Sequence, residues 1–354
     1  MLFLGFLTVS ICLAASGCRS IGPQTIARDG FDYNTAISEA WKKQMLLNLV
    51  KIRYADVPVF LEVSSIINQY SLETELSAGA SWDVYIQGKS QSVGGSGRFA
   101  DRPTITYSPM RGEEFTRNLL SPIPASSLLS LVEAGWPVDR VFRVCVQSIN
   151  GIENRTNSIT LYREAEPEFY HLISALKRIQ QAGAMGTRLE ENGTSTKATL
   201  FLERDVDEDT EQDIRALKKL LGLDLEKNEF NLVKGRLTQS TKEIAILSRS
   251  IMEIMRAMSG YIDVPQKDIK DGWVTHSLPA TLENEAGFSP LFKIKCDKEN
   301  PDHAFASVQY RDHWFWIDGR DPSSKRILSF LLILFNLTET SGPSKAPLVT
   351  IPTG

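Results

Sequence analysis

The sequence predicts an α+β fold with mostly antiparallel sheet, interleaved helices and one long β-hairpin over about 70–108. Three observations lead there. From Tyr70 to Lys89 the residues alternate: Tyr70, Leu72, Leu76, Ala78, Trp82, Val84 and Ile86 fall on even positions, Ser71, Glu73, Glu75, Ser77, Asp83 and Lys89 on odd ones. A period of two is the mark of a strand with one apolar and one wet face. Twenty residues of it far exceed an ordinary strand of about five to six. Capped helical stretches alternate with turn-bounded strand pairs, without the regular βαβ spacing of a parallel sheet. The composition, 42% hydrophobic and 23% charged, is that of a globular chain and excludes disordered, collagen-like and coiled-coil classes.

At the N-terminus, Leu2–Ala15 is an apolar run shorter than the roughly 20 residues that span a bilayer. Small residues follow it, as at the cleavage site of a secretory leader. The end, Ala15-Ser16-Gly17-Cys18, resembles the bacterial lipobox, which implies a leader over 1–17 cut before Cys18 and acyl chains on that residue. Each buried CH₂ contributes about 0.8 kcal/mol, so several chains anchor stably. The leader lacks the usual Lys or Arg. Arg19, rather than Asp, follows the cysteine, and the family's sorting rule then implies the outer membrane, with the protein facing the periplasm. Residues 18–33, polar and containing Gly and Pro, read as a tether.

Asn34 is an N-cap for a helix to about Arg53 with the stripe Ile37, Trp41, Met45, Leu49, Ile52. Val57–Val63 reads as a strand before the hairpin, whose return leg carries Phe99, Ile105 and Tyr107 on odd positions. Residues 125–134 read as a helix stopped by Gly135, and Val138–Ile149 keeps helical spacing although its β-branched residues also suit a strand. Pro167 suits the first turn of a helix to Gln181. Asn192-Gly193 is a hairpin turn signal between 187–189 and 198–202. Thr210 caps a helix over 211–221, whose acidic start and Lys218-Lys219 end suit the helix dipole, with Gly222 as its stop. Ser248 caps a helix through Met258, Phe292–Cys296 reads as a strand, and Phe305–Tyr310 with Trp314–Ile317 as a hairpin. Ser323 or Ser324 caps a last helix. A domain boundary is expected near 155, dividing 34–155 from 156–354.

Four cysteines are present; Cys12 leaves with the leader, and Cys145 and Cys296 are either bridged or two buried thiols, an alternative the sequence leaves open. No CxxC or Cys/His cluster suggests zinc, and no GxSxG, Walker A, HExxH, GxGxxG or EF-hand loop is present. The expectation is no cofactor and no metal. A net charge of −4 argues against nucleic acid as partner. The tightest His/acid grouping is Asp302-His303 with Asp312-His313 and Asp318, which marks His303, His313 and Asp318 as candidates for a non-standard hydrolase if the hairpin gathers them at one end. The plainer reading, solvated turn residues, is preferred. Trp314 and Trp316 on one strand face with Phe315 and Ile317 on the other read as core packing, and the acidic run Asp205–Glu211 as a helix start.

Phe31-Asp32-Tyr33-Asn34 through Leu46-Leu47-Asn48-Leu49-Val50-Lys51-Ile52-Arg53-Tyr54-Ala55-Asp56-Val57-Pro58-Val59-Phe60-Leu61, and Tyr310-Arg311-Asp312-His313-Trp314-Phe315-Trp316-Ile317-Asp318 with Ser324-Lys325, resemble an uncharacterised family of bacterial envelope lipoproteins. The likeness spans most of the mature chain and implies no catalytic residue and no ligand. The sequence therefore leads to a lipid-anchored envelope protein acting by binding or assembly, with the membrane and an envelope protein or a second copy as partners. The alternative is an oligomeric outer-membrane pore, each subunit donating its 70–108 hairpin to a closed barrel with Glu73, Glu75 and Asp83 on the wet side.

Overall fold

The computed structural model describes residues 22–67, 70–81, 90–101, 104–157, 162–192, 195–275 and 281–338. The leader and Cys18 lie outside them, as does the hairpin tip with Asp83. The fold is α+β with mostly antiparallel sheet. The chain divides into two compact units, one holding the start of the first helix and residues 61–109, the other residues 39–60 and 110 onward.

Helix α1 runs from Gly22 to Arg53. The tether expected over 18–33 is therefore helical from Gly22 on. Pro23 sits in the first turn, where its missing N–H costs nothing. The last third of α1 enters the core: Met45, Leu46, Leu49 and Val50 are buried, whereas Trp41 of the expected stripe is exposed.

The first unit carries a two-stranded ribbon made, among the described residues, of two strand pairs. Strand β1 (Leu61–Ile67) pairs antiparallel with β4 (Thr104–Pro109), and β2 (Tyr70–Ser81) with β3 (Ser90–Asp101). The register from Ser65↔Thr106 to Ser81↔Ser90 steps without a shift. The expected hairpin is thus present and starts nine residues earlier than its alternation suggests. One irregularity hides that start: Ser64 has no partner between Val63↔Tyr107 and Ser65↔Thr106. Such a bulge moves the phase by one. Leu61 and Val63, on odd positions, therefore share a face with Ile66, Tyr70, Leu72 and Leu76 on even ones, opposite Pro109, Tyr107, Ile105 and Phe99. The other face takes Ser71, Glu73, Glu75 and Ser77 opposite Ala100, Arg98, Ser96 and Gly94.

The body is built on a six-stranded sheet. Helix α2 (Ala125–Glu133) is followed by α3 (Val138–Cys145), which runs straight into β5 (Val146–Ile149), so the ambiguous 138–149 stretch is helix then strand. After β6 (Ile152–Glu153) come α4 (Pro167–Gln181), β7 (Met185–Asn192), β8 (Ser195–Leu202), α5 (Glu208–Leu221), β9 (Glu229–Lys234) and β10 (Glu243–Ser248). The order is β6-β5-β10-β9-β8-β7, antiparallel except for β9 beside β10. Because β5 pairs with β10, the boundary expected near 155 runs through a sheet; the chain divides at 61 and 109 instead. Asp207, not Thr210, caps α5, accepting from the Thr210 N–H at 2.9 Å, and Gly222 ends it with φ 65°.

Helix α6 (Ile251–Ser259) opens with a capping box between Ser250 and Glu253, two residues after the expected cap, and the short α7 (Gln266–Lys270) follows. A three-stranded sheet orders β11 (Lys295–Asp297), β13 (His313–Asp318) and β12 (Ala304–Tyr310) with β13 in the middle. Both turn residues between β12 and β13, Arg311 and Asp312, have positive φ, the geometry of a I′ turn. Helix α8 (Pro322–Thr338) is capped by Asp321, which accepts from the N–H groups of Ser323 and Ser324. Phe169, Phe230, Phe292, Phe315 and Phe330 are fully buried in the body core. No helix among the described residues is long and apolar enough to cross a membrane.

Candidate functional site

The residues singled out from sequence are not gathered together. His313 lies at the turn end of β13 and Asp318 at the other end, where it faces Ala304. Four strand residues lie between them, and the five steps span about 16 Å at 3.3 Å per residue. His303 is exposed, and its carbonyl accepts from the Gly319 N–H at 2.8 Å. His313 Nδ1 lies 3.0 Å from the Arg311 carbonyl oxygen. The hairpin that was to bring His303, His313 and Asp318 to one end instead extends His313 away from the other two. Asp318 is occupied: Arg320 Nε and Lys295 Nζ approach it at 3.2 and 3.0 Å, and these hydrogen bonds, Arg320's first, hold its carboxyl well below the usual carboxylate range. It is a fixed anion with no proton to give near neutral pH. Among the described residues no three His, Cys, Asp or Glu side chains come close enough to hold a metal.

Cys145 and Cys296 are free thiols. Burial pushes the Cys145 pKa up, and it pushes that of Cys296 up to about 12, so neither is a ready nucleophile. Phe315 and Ile317 are fully buried, but Trp314 and Trp316 are only half-buried. The Trp316 indole donates to Asp297 at 3.0 Å and lies under Lys295, so this strand buries one face and lends the other to a polar cover, rather than burying both.

Two arrangements in the body were not visible in sequence. The first joins the end of α1 to the β12–β13 turn. Tyr54 packs against Tyr310 and Phe315 with ring centroids 5.3 and 6.0 Å apart. The Tyr54 hydroxyl donates to Asp268 at 2.6 Å and the Tyr310 hydroxyl to Asp56 at 3.0 Å. Burial, then the Asp268 bond, raises the Tyr54 pKa, so the phenol stays protonated. The Arg311 guanidinium covers the Tyr54 ring and, at 4.1 Å from its centroid, the Trp273 ring.

The second is a buried ionic cluster. Arg143 pairs with Glu283 and donates to the Ser289 carbonyl at 3.0 Å, and the Tyr261 hydroxyl donates to Glu283 at 3.0 Å. Arg155 reaches Glu283 at 3.5 Å. Arg249 donates to the Arg143 and Val144 carbonyls at the end of α3, where a cation suits the helix dipole, and burial lowers its pKa to about 10. The partners lie 140 residues apart in sequence, so no local pattern announces them. The cluster ties distant segments together, with Glu283 shared between Arg143, Arg155 and Tyr261.

The ribbon has the opposite character. Neither β1 nor β4, and neither β2 nor β3, is hydrogen-bonded into the six-stranded or the three-stranded sheet. A lone two-stranded ribbon is marginally stable in water, and each outer edge is a template for another strand. The chain matches no protein-family model, and comparison with curated proteins and with solved structures finds no significant similarity.

Proposed function

We propose that this chain is a lipid-anchored protein of the bacterial cell envelope, held in the outer membrane through Cys18 and facing the periplasm, and that it acts by assembly rather than catalysis. The observation that carries the reading is the ribbon: two paired runs of twelve residues, β2 and β3, whose outer edges join no other strand among the described residues. Strand addition along such an edge supplies backbone hydrogen bonds, and alternate residues supply specificity. The separation of His303 and His313 from each other, and the full engagement of Asp318, favour this reading over hydrolysis.

Length and patterning also favour a second reading, the oligomeric pore. A membrane strand needs about 9–11 residues with alternating faces. β2 and β3 exceed that, with one face carrying Leu72, Leu76, Val93 and Phe99 and the other Glu73, Glu75 and Arg98. A hairpin in a bilayer must close with its neighbours into a barrel.

The experiment is native mass measurement of the detergent-extracted chain. A complex larger than one protomer, lost when 61–109 is excised, is expected; a lone protomer with no bound protein overturns the assembly reading. Conductance across a planar bilayer separates the pore from a closed complex. The anchor is tested by Cys18→Ser, which should abolish palmitate labelling and release the protein from pelleted envelopes.

A further inference from the structure

Beside the Tyr54 cluster the body carries a cleft of about 230 Å³. Its walls come from the end of α1, from α6 and from residues 272–275, with Arg53, Arg256, Trp273 and Thr275 among the lining. Among the described residues no Asp or Glu lines it. The Arg256 guanidinium, half-buried, makes no hydrogen bond or ion pair with any described residue. Arg53 donates to the Thr275 carbonyl at 2.6 Å, and its burial lowers its pKa, the sign of a cation held partly out of water. The cleft is therefore a cationic hollow.

Trp273 adds an apolar wall. It is 55% exposed, an unusual state for an indole, yet it is held firmly. Its backbone N–H donates to the Asp268 carbonyl at 2.9 Å, directly after Gly272, whose φ of 76° follows α7 in the left-handed region. The Arg311 guanidinium lies over one face of the ring, and Arg311 has a φ of 48°. A non-glycine residue in that region costs about 1 kcal/mol or more and is kept where the surroundings fix it. The tryptophan is thus pre-positioned, with Arg311 on one face and the cleft beside it.

We propose that this cleft binds a small ligand that joins a flat ring to an oxyanion, the ring stacking on Trp273 and the oxyanion pairing with Arg256. The volume sets the size. Drug-sized ligands occupy roughly 300–1,000 Å³, so a cleft below that range takes a single ring with its charged group. A planar guanidinium matches a phosphate or a carboxylate in two-point contact, and an indole face accepts a ring of either aromatic or sugar type. The site lies wholly in the body and is independent of the ribbon.

The test is calorimetric titration of the full-length chain in detergent with phenyl phosphate, benzoate, inorganic phosphate, acetate and phenol. At least one of the two ring-bearing anions is expected to bind at least tenfold more tightly than inorganic phosphate or phenol; which of them does so distinguishes phosphate from carboxylate. Arg256→Gln should weaken the preferred ring anion tenfold or more and leave phenol unchanged. Trp273→Ala should erase the advantage of phenyl phosphate over inorganic phosphate, or of benzoate over acetate. Arg256→Lys, which keeps the charge without the fork, should fall between, and unchanged thermal melting shows that each variant is folded. No saturable binding of either ring anion to the wild type, or binding indifferent to both substitutions, overturns the proposal.

Discussion

The ribbon and the body spend the same backbone chemistry differently. In the body, six strands pair with one another, helices carry buried stripes, and even a buried carboxylate, Glu283, has Arg143, Arg155 and Tyr261 around it. In the ribbon each strand has one partner and one edge that joins neither body sheet. A strand edge left without a backbone partner is a template for another strand, and under the proposed assembly reading that edge is where a partner would add. The difference also separates two kinds of experiment, those that unfold the body and those that leave it standing while removing assembly.

The largest expected effect falls on the body. Glu283→Gln leaves Arg143 and Arg155 buried without a carboxylate, and breaking a buried pair from one side costs on the order of 3–5 kcal/mol. Urea unfolding should show that loss. The double variant Arg143→Met, Glu283→Leu should recover much of it, since neither charge then remains to be desolvated. If Glu283→Gln costs less than about 1 kcal/mol, the cluster is not the tie between distant segments described above.

A smaller loss is expected at the start of α6. Ser250→Ala removes one half of the capping box and should cost about 1 kcal/mol by the same measurement, without changing assembly. Smaller again is the pH response of Asp318. Its pKa is lowered in the folded state, so its contribution is present above the ordinary carboxylate value near 4 and is lost as pH falls below it. The melting difference between wild type and Asp318→Asn should be constant at neutral pH and shrink below pH 4. Arg320 is 79% exposed and Lys295 36%, so water screens both partners and the effect should stay below that of the cap.

How far the sequence reached follows the same division. Local chemistry was readable: Pro167 opening α4, Gly222 ending α5 and the alternation of β2 each depend on residues within a turn or a strand of one another. The ribbon's first leg was not, because an unpaired Ser64 shifts Leu61 and Val63 out of phase with the even-numbered run. The Arg143–Glu283 pair, and the meeting of Tyr54 and Asp56 with Tyr310 and Arg311, depend on tertiary closure over more than a hundred residues. The converse holds for His313, near Asp318 in sequence but set apart from it and from His303 by the extended strand. The Cys18 anchor rests on sequence alone.

The smallest expected effect on the body is the sharpest test of the comparison. The ribbon leaves the body after Phe60 and returns at Met110, and these two are already joined, the Met110 N–H donating to the Phe60 carbonyl at 3.0 Å. Asn48 holds the preceding turn, accepting from the Val59 N–H at 3.0 Å and donating to its carbonyl at 2.8 Å. Phe60 itself stacks on Phe335 of α8, with ring centroids 5.4 Å apart. The body therefore fixes both ends of the excursion through its own contacts. Replacing 61–109 with an Asn-Gly link suited to a tight turn should change the urea midpoint by less than the equivalent of about 0.5 kcal/mol. The same variant should sediment as a single protomer where the wild type does not. A body that unfolds without its ribbon would mean that the two units are one cooperative structure, and the ribbon would then be part of the core rather than an arm held out for a partner.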